Sequence, residues 1–165
     1  MFVLPGTLPG RTFSCIVIGL RAQRAIRNGM LEKSQTGPAI VVCTTCRFSH
    51  AQREDWQGRR GGALFAANLR AALSGHACKD RLAIQEMPCL FACSTPCAVY
   101  LRCEGKIGYV LGRFSPTHAD ATALLDYAAH YIASPEGVVP FAYWPEGVKG
   151  HFIVRTPPEG FVSRS

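Results

Sequence analysis

No stretch of this sequence approaches the roughly 20 consecutive apolar residues that a membrane-spanning helix requires. The longest candidate near the start, "FSCIVIGL" at residues 13–20, is far too short. No small-residue cleavage pattern follows it, which argues against a secretory signal and makes the cytoplasm the expected compartment. Phosphate-cradling loops are missing too. "GRRGGALF" (58–65) lacks the Lys-Ser/Thr ending and does not directly follow a strand. No Ser-His-Asp order stands out, so a hydrolase is a poor reading. The histidines His50, His76, His118, His130 and His151 are scattered without ligand spacing, and His50 reads as a solvated loop residue. Charge is scarce, at 18% of residues, and unevenly placed. Arg11, Arg21, Arg24 and Arg27 all precede the first acid, Glu32. Without them the formal net charge falls from +7 to about +3, too little to argue for a nucleic-acid partner.

What is present suits a folded protein of modest size. Its 165 residues, 48% hydrophobic, allow one domain with a real core. Residues 1–37 are expected to be an N-terminal extension, disordered or beginning from a misassigned start. Met30 opens "MLEKSQTGPAIVVC", which reads as an ordinary start, so residues 1–29 should be dispensable. Residues 38–134 form the expected domain. Residues 135–165 carry Pro135, Pro140, Pro145, Pro157 and Pro158 and one short apolar run, "HFIVR", so an extended tail wrapping the domain is expected.

"AIVVC" (39–43) is a β-branched run that reads as a buried strand ending at Cys43. The polar segment 44–60 is long for a structureless connection, and such loops are usually functional. "GGALFAANLRAALSG" follows. Leu64, Phe65, Asn68, Leu69, Ala72 and Leu73 recur at helical spacing, which predicts a helix over 62–74 with Gly75 left-handed after it. "RLAIQEM" (81–87) alternates as a strand. "AVYLRC" and "KIGYVLG" flank Glu104-Gly105, a hairpin turn signal. "SPTHADATALLDYAAHYIAS" predicts a helix capped by Ser115 with Pro116 first, a buried stripe of Leu124, Leu125, Ala128, Ala129 and Ile132, and a stop at Pro135. The order is βαβ then ββα. Right-handed crossover makes the first two strands parallel. The fold class is α/β, a thioredoxin-like arrangement with a four-stranded mixed sheet.

Eight cysteines in a chain without a secretion signal point to metal or redox chemistry rather than to disulfides. Five fall in two clusters: Cys43 and Cys46 in "VVCTTCR", and Cys89, Cys93 and Cys97 in "CLFACSTPC". Cys15, Cys78 and Cys103 stand alone and read as buried small hydrophobes. Each cluster follows a strand. If those strands are parallel, both clusters emerge at one sheet edge. Four readings stay open for them: a C-x-x-C dithiol, a structural zinc site, an iron–sulfur cluster, or packing. The dithiol reading wants a helix to start at the motif, and here the helix starts some 15 residues later. Arg47, Arg53, Arg59 and Arg60 crowd the first loop. They would raise the reduction potential of an anionic centre, or simply solvate the loop.

"CLFACSTPCAVYLRCEGKIGYVLGRF" resembles the second cysteine segment of thioredoxin-like [2Fe–2S] ferredoxins. There a "CLGAC" motif follows the second strand, and a proline-containing turn leads into a hairpin. The small iron–sulfur subunit of respiratory NADH dehydrogenase shares that segment. The chain is also similar to the DUF1636 family of predicted metal-binding proteins. The matching segments are Cys43 to Arg47, Cys89 to Cys97, Gly105 to Gly112, and "RTPP" at Arg155 to Pro158, within about residues 38–160. The resemblance implies metal ligation by Cys43, Cys89 and Cys93, with Cys46 at a narrower spacing than ferredoxins use. Cys97 is an additional thiol and the reserve candidate for the fourth position, and Pro96 is displaced by one place. The implied cofactor is a [2Fe–2S] cluster, and the implied function is electron carriage with an unidentified redox partner protein rather than an enzyme activity. The alternatives are zinc or another single metal ion, in a zinc- or cobalt-handling protein associated with cobalamin metabolism, or a dithiol redox protein. Neither nucleic acid nor membrane is expected as a partner, and a homodimer is allowed.

Overall fold

The computed structural model describes residues 33–162. The expectations for residues 1–29, for most of 1–37 and for Cys15 lie outside these residues. The chain divides at Ser34 into two units, and the second, from Gln35, carries every element described here.

Among the described residues, five strands and two helices follow one another as β1 (Ala39–Cys43), α1 (Gly61–Ser74), β2 (Ala83–Met87), β3 (Val99–Arg102), β4 (Gly108–Leu111), α2 (His118–Ala133) and β5 (Phe152–Thr156). The sheet order is β2-β1-β3-β4-β5. β1 runs parallel to β2, with Cys43 opposite Met87, and antiparallel to β3. The remaining pairs are antiparallel. The predicted βαβ-then-ββα order is therefore found in a mixed α/β sheet.

The expected sheet of four strands is corrected to five. β4 would otherwise present a row of unpaired backbone groups. "HFIVR", read as part of a tail, covers that edge, with Tyr109 opposite Arg155 and Val110 opposite Val154. Trp144, after a 3-10 turn at Phe141–Tyr143, lies tilted against Phe152 at 4.3 Å and meets Tyr127 edge-on at 5.8 Å. Val148, in a second 3-10 turn, is buried.

One core lies between the sheet and both helices. Ile40, Val42, Val99, Leu101, Tyr109 and Leu111 point from alternate strand positions towards Phe65, Leu69, Leu124, Leu125, Tyr127 and Tyr131. Each such side chain removed from water contributes on the order of 1.5–3 kcal/mol. On α1, Phe65 and Leu69 are fully buried, while Asn68 at the margin donates 2.9 Å to the Pro116 carbonyl. On α2 the stripe includes Tyr127 and Tyr131, which sequence periodicity had not assigned, whereas Ala129 and Ile132 are only partly buried.

Two helix ends differ from expectation. α2 begins at His118 under Thr117, not Ser115, because the Thr117 hydroxyl accepts from Asp120 N–H while Asp120 Oδ2 accepts from Ser115 N–H at 2.7 Å. Gly75 ends α1 at φ −102°, not left-handed, because the chain closes with a tight turn, His76 N–H to Leu73 O at 3.0 Å. Cys78 is fully buried and lies 3.0 Å from His76 Nδ1. His76 Nε2 in turn lies 3.0 Å from Asp126 Oδ1, tying the end of α1 to α2. Cys103 packs against the core margin. Among the described residues, no helix is long and apolar enough to cross a membrane.

Candidate metal centre

The two cysteine loops leave the sheet side by side. Parallel pairing of β1 and β2 brings their carboxyl ends to one edge, and the ladder continues past both strands. Thr44 N–H donates to Met87 O at 2.9 Å, and Thr45 N–H to Pro88 O at 3.2 Å. On the other side Cys43 N–H donates to Ala98 O at 3.0 Å, at the start of β3. Ala98 N–H in turn points at Cys46 Sγ, 3.4 Å away. Cys43, Cys46 and Ala98 form a small buried cluster closed by Leu90 and Ala92 of the second loop.

The thiols arrive in pairs. Cys89 and Cys93 have their sulfurs 4.0 Å apart. Two thiolates on one tetrahedral metal, with bonds of about 2.3 Å, would stand about 3.8 Å apart. In the other pair the Cys46 thiol donates to the Cys43 sulfur. That bond outweighs burial and, helped by backbone N–H groups of Leu90 and Thr45, brings Cys43 down to about 5. Cys46 is held well above the thiol range, first by the hydrogen bond it donates to Cys43 and then by burial. Cys93 is raised by its hydrogen bond to Cys89 and by the charges of Cys89 and Cys43. Each pair thus shares protons that a soft cation would displace.

Cys97 is placed differently. It belongs to the main core, with no exposed surface, and burial, followed by the charges of Asp120 and Cys43, pushes it up to about 12. The structure therefore brings Cys43, Cys46, Cys89 and Cys93 to one end of the sheet and leaves Cys97 behind them. Among the described residues, no three Cys, His, Asp or Glu side chains converge on one metal ion. The four sulfurs arrive as two pairs, a donor set that a [2Fe–2S] cluster or a single thiolate-bound metal ion could take.

Sequence reasoning missed three features. The start of α1, distant in sequence, lies directly on the first cysteine loop. A Cβ on Gly61 would meet the carbonyl oxygen of Arg47 and lie 2.6 Å from Phe48 Cα, and Gly62 N–H donates to Cys46 O at 3.3 Å. The paired glycines "GG" were the available signal. The positive end of the α1 dipole therefore faces the loop that carries Cys43, and it favours a thiolate there. The second feature is backbone strain. Among the described residues, the non-glycine positions with positive φ are Phe91 (57°), Cys97 (52°) and Arg113 (66°). All three lie in or against the second loop, since Arg113 N–H donates to Pro96 O at 2.8 Å. Such conformations gather at functional sites. The third is an N–H aimed at sulfur, from Phe91 to Cys89 Sγ at 3.3 Å.

A family model described as "Protein of unknown function (DUF1636)" matches residues 40–158. Among solved structures, the chain is similar to a thioredoxin-like [2Fe–2S] ferredoxin from Aquifex aeolicus. The two are 16% identical, the match covers 78% of this chain and 100% of that one, and the TM-score is 0.47. No curated protein matches the chain.

Proposed function

The chain belongs to the DUF1636 family, and we propose that it is a small metal-binding protein that holds a [2Fe–2S] cluster and carries single electrons. The observation that carries this reading is the delivery of four thiols, as two pairs, to one end of the sheet. Cys43 and Cys46 would hold one side of the cluster, and Cys89 and Cys93 the other. When bound, such a cluster supplies a reversible one-electron couple.

The chain's own contribution is to fix and tune that site. Backbone N–H groups of Ala98 and Phe91 point at Cys46 and Cys89 and stabilise negative charge on sulfur. The loop ladder from Thr44 to Pro88 keeps the pairs in register. Exposed Arg47, next to Cys46, would raise the reduction potential by offsetting thiolate charge. Anaerobic purification followed by visible absorption and metal analysis tests the proposal. A coloured protein with two irons and two acid-labile sulfides per chain is expected. A colourless protein with one zinc, or a protein with one cobalt and no acid-labile sulfide, would instead support metal handling.

A second reading, a dithiol redox protein, draws on the proton shared by Cys43 and Cys46 beside the start of α1. It requires a metal-free protein whose Cys43–Cys46 pair oxidises reversibly, which the same metal analysis and a thiol count decide.

A further inference from the structure

We propose that the tip of the Cys89–Cys93 loop, Phe91, together with Arg47 and Arg53 of the neighbouring loop, is a docking surface for a protein partner that presents an apolar recess ringed by carboxylates. The inference rests on the reading of the adjoining thiols as an electron-carrying centre, because a carrier must meet and leave protein partners at its centre.

Phe91 is the anchor of this surface. Its side chain is 94% exposed, although Leu90 and Ala92 on either side pack against the Cys43 and Cys46 cluster. Single exposed apolar residues are common and need no explanation. Trp56 and Val162 are almost as exposed, but they stand on ordinary backbone. Phe91 sits at φ 57°, a conformation that penalises any residue with a Cβ and a bulky aromatic most. Glycine would make the same turn, and aim the same N–H at Cys89, without strain. The ring thus gives the loop nothing it needs, and its available contacts lie outside the chain. Aromatic anchors of this kind dominate binding at interfaces, with arginine beside them.

Charge selects the partner. Residues 87–98 carry no charged side chain, and the first loop, 44–60, carries Arg47, Arg53, Arg59 and Arg60 against Glu54 and Asp55. Arg59 pairs with Asp55 and Arg60 with Glu54, whereas Arg47 and Arg53 are exposed and form no ion pair among the described residues. The two loops together are therefore net positive, and the charge of Arg47 and Arg53 complements an acidic rim.

Biolayer interferometry of the metal-loaded full-length protein provides the test. The probes are an acidic flavodoxin and, as the opposite-charge control, a basic cytochrome c. Binding to flavodoxin that weakens with salt is expected, with no binding to cytochrome c. Phe91→Gly should weaken it about tenfold, which corresponds to about 1.4 kcal/mol, and Arg47→Glu should weaken it as well. If Phe91→Gly loses metal, Phe91→Asn, which also tolerates the left-handed backbone, replaces it. Failure to bind flavodoxin, or undiminished binding by the ring-free variant, overturns the proposal. Reduction by dithionite is measured separately. Its absence would end the electron-carrier reading, while the binding result still decides the docking surface.

Discussion

The carbonyl oxygen of Cys43 occupies the space in which a side chain on Gly62 would lie. The contact joins the end of β1 to the first turn of α1, so the helix and the first cysteine pair are positioned together. Gly62→Ala sets two effects against each other. Alanine favours the helix by about 1 kcal/mol, whereas forcing atoms into a filled site costs about 1–3 kcal/mol, and more where the obstacle is backbone. We expect a net loss of stability in denaturant melts, accompanied by reduced metal retention. Gly75→Ala is the control. Nothing lies within 4 Å of its added Cβ and its φ is ordinary, so stability should stay within about 0.5 kcal/mol of the parent or rise.

Lys106 supports the fold away from the site. Its Nζ donates to Ile132 O at 2.7 Å and Ser134 O at 2.6 Å, the carbonyls left open at the end of α2. A half-buried cation at that end also faces the negative pole of the helix. Lys106→Met keeps the stem and removes the donors. We expect a loss of about 1.5–3 kcal/mol in denaturant melts with metal content unchanged. Equal loss of metal would show that the end of α2 and the cysteine loops are coupled.

These two contacts also show where sequence reading stopped. The strands β1 to β4 were legible because β-branched runs and the Glu104-Gly105 turn are local signals, and Gly105 takes φ 71° as such a turn requires. The parallel sense of β1 and β2 followed from chain connectivity. β5 was not legible, because its pairing comes from the open edge of β4 and its own segment is flanked by prolines that argue against a strand. Thr117 displaced Ser115 as the cap because Asp120 bonds in both directions, which composition alone does not rank. At the site, spacing kept Cys97 as an additional thiol and reserve candidate beside Cys89 and Cys93 but did not show that it is buried in the main core.

The distinction between Cys97 and its neighbours can be measured. Cys97→Ala removes a small, fully buried group from the core, and we expect a stability loss of about 1–2 kcal/mol. Metal stoichiometry should not change. Cys89→Ser, at a partly exposed loop position, should cost little stability in the metal-free protein and lose bound metal. Metal analysis of both variants, purified anaerobically, checks this. Full retention in Cys89→Ser would remove the second pair from the site.

The proton shared by Cys43 and Cys46 sets the pH response of the metal-free protein. Cys43 is held at about 5, against a usual thiol value of 9.0, chiefly because the Cys46 thiol donates to it. A group whose folded pKa is depressed adds stability that is complete above its unfolded pKa and is lost as pH falls through its folded value. Stability from this pair should therefore grow between about pH 5 and 9 and fade below about 5. The ultraviolet absorption of thiolate reads the same event directly. The metal-free protein should gain about one thiolate with a midpoint near 5. In Cys46→Ala the donor is gone while burial remains, so that midpoint should climb towards or beyond the ordinary thiol value. In Cys46→Ser a hydroxyl still donates, and the midpoint should stay low. Identical titrations in the alanine and serine variants would show that Cys46 does not hold the Cys43 thiolate, and would leave the start of α1 as its main support.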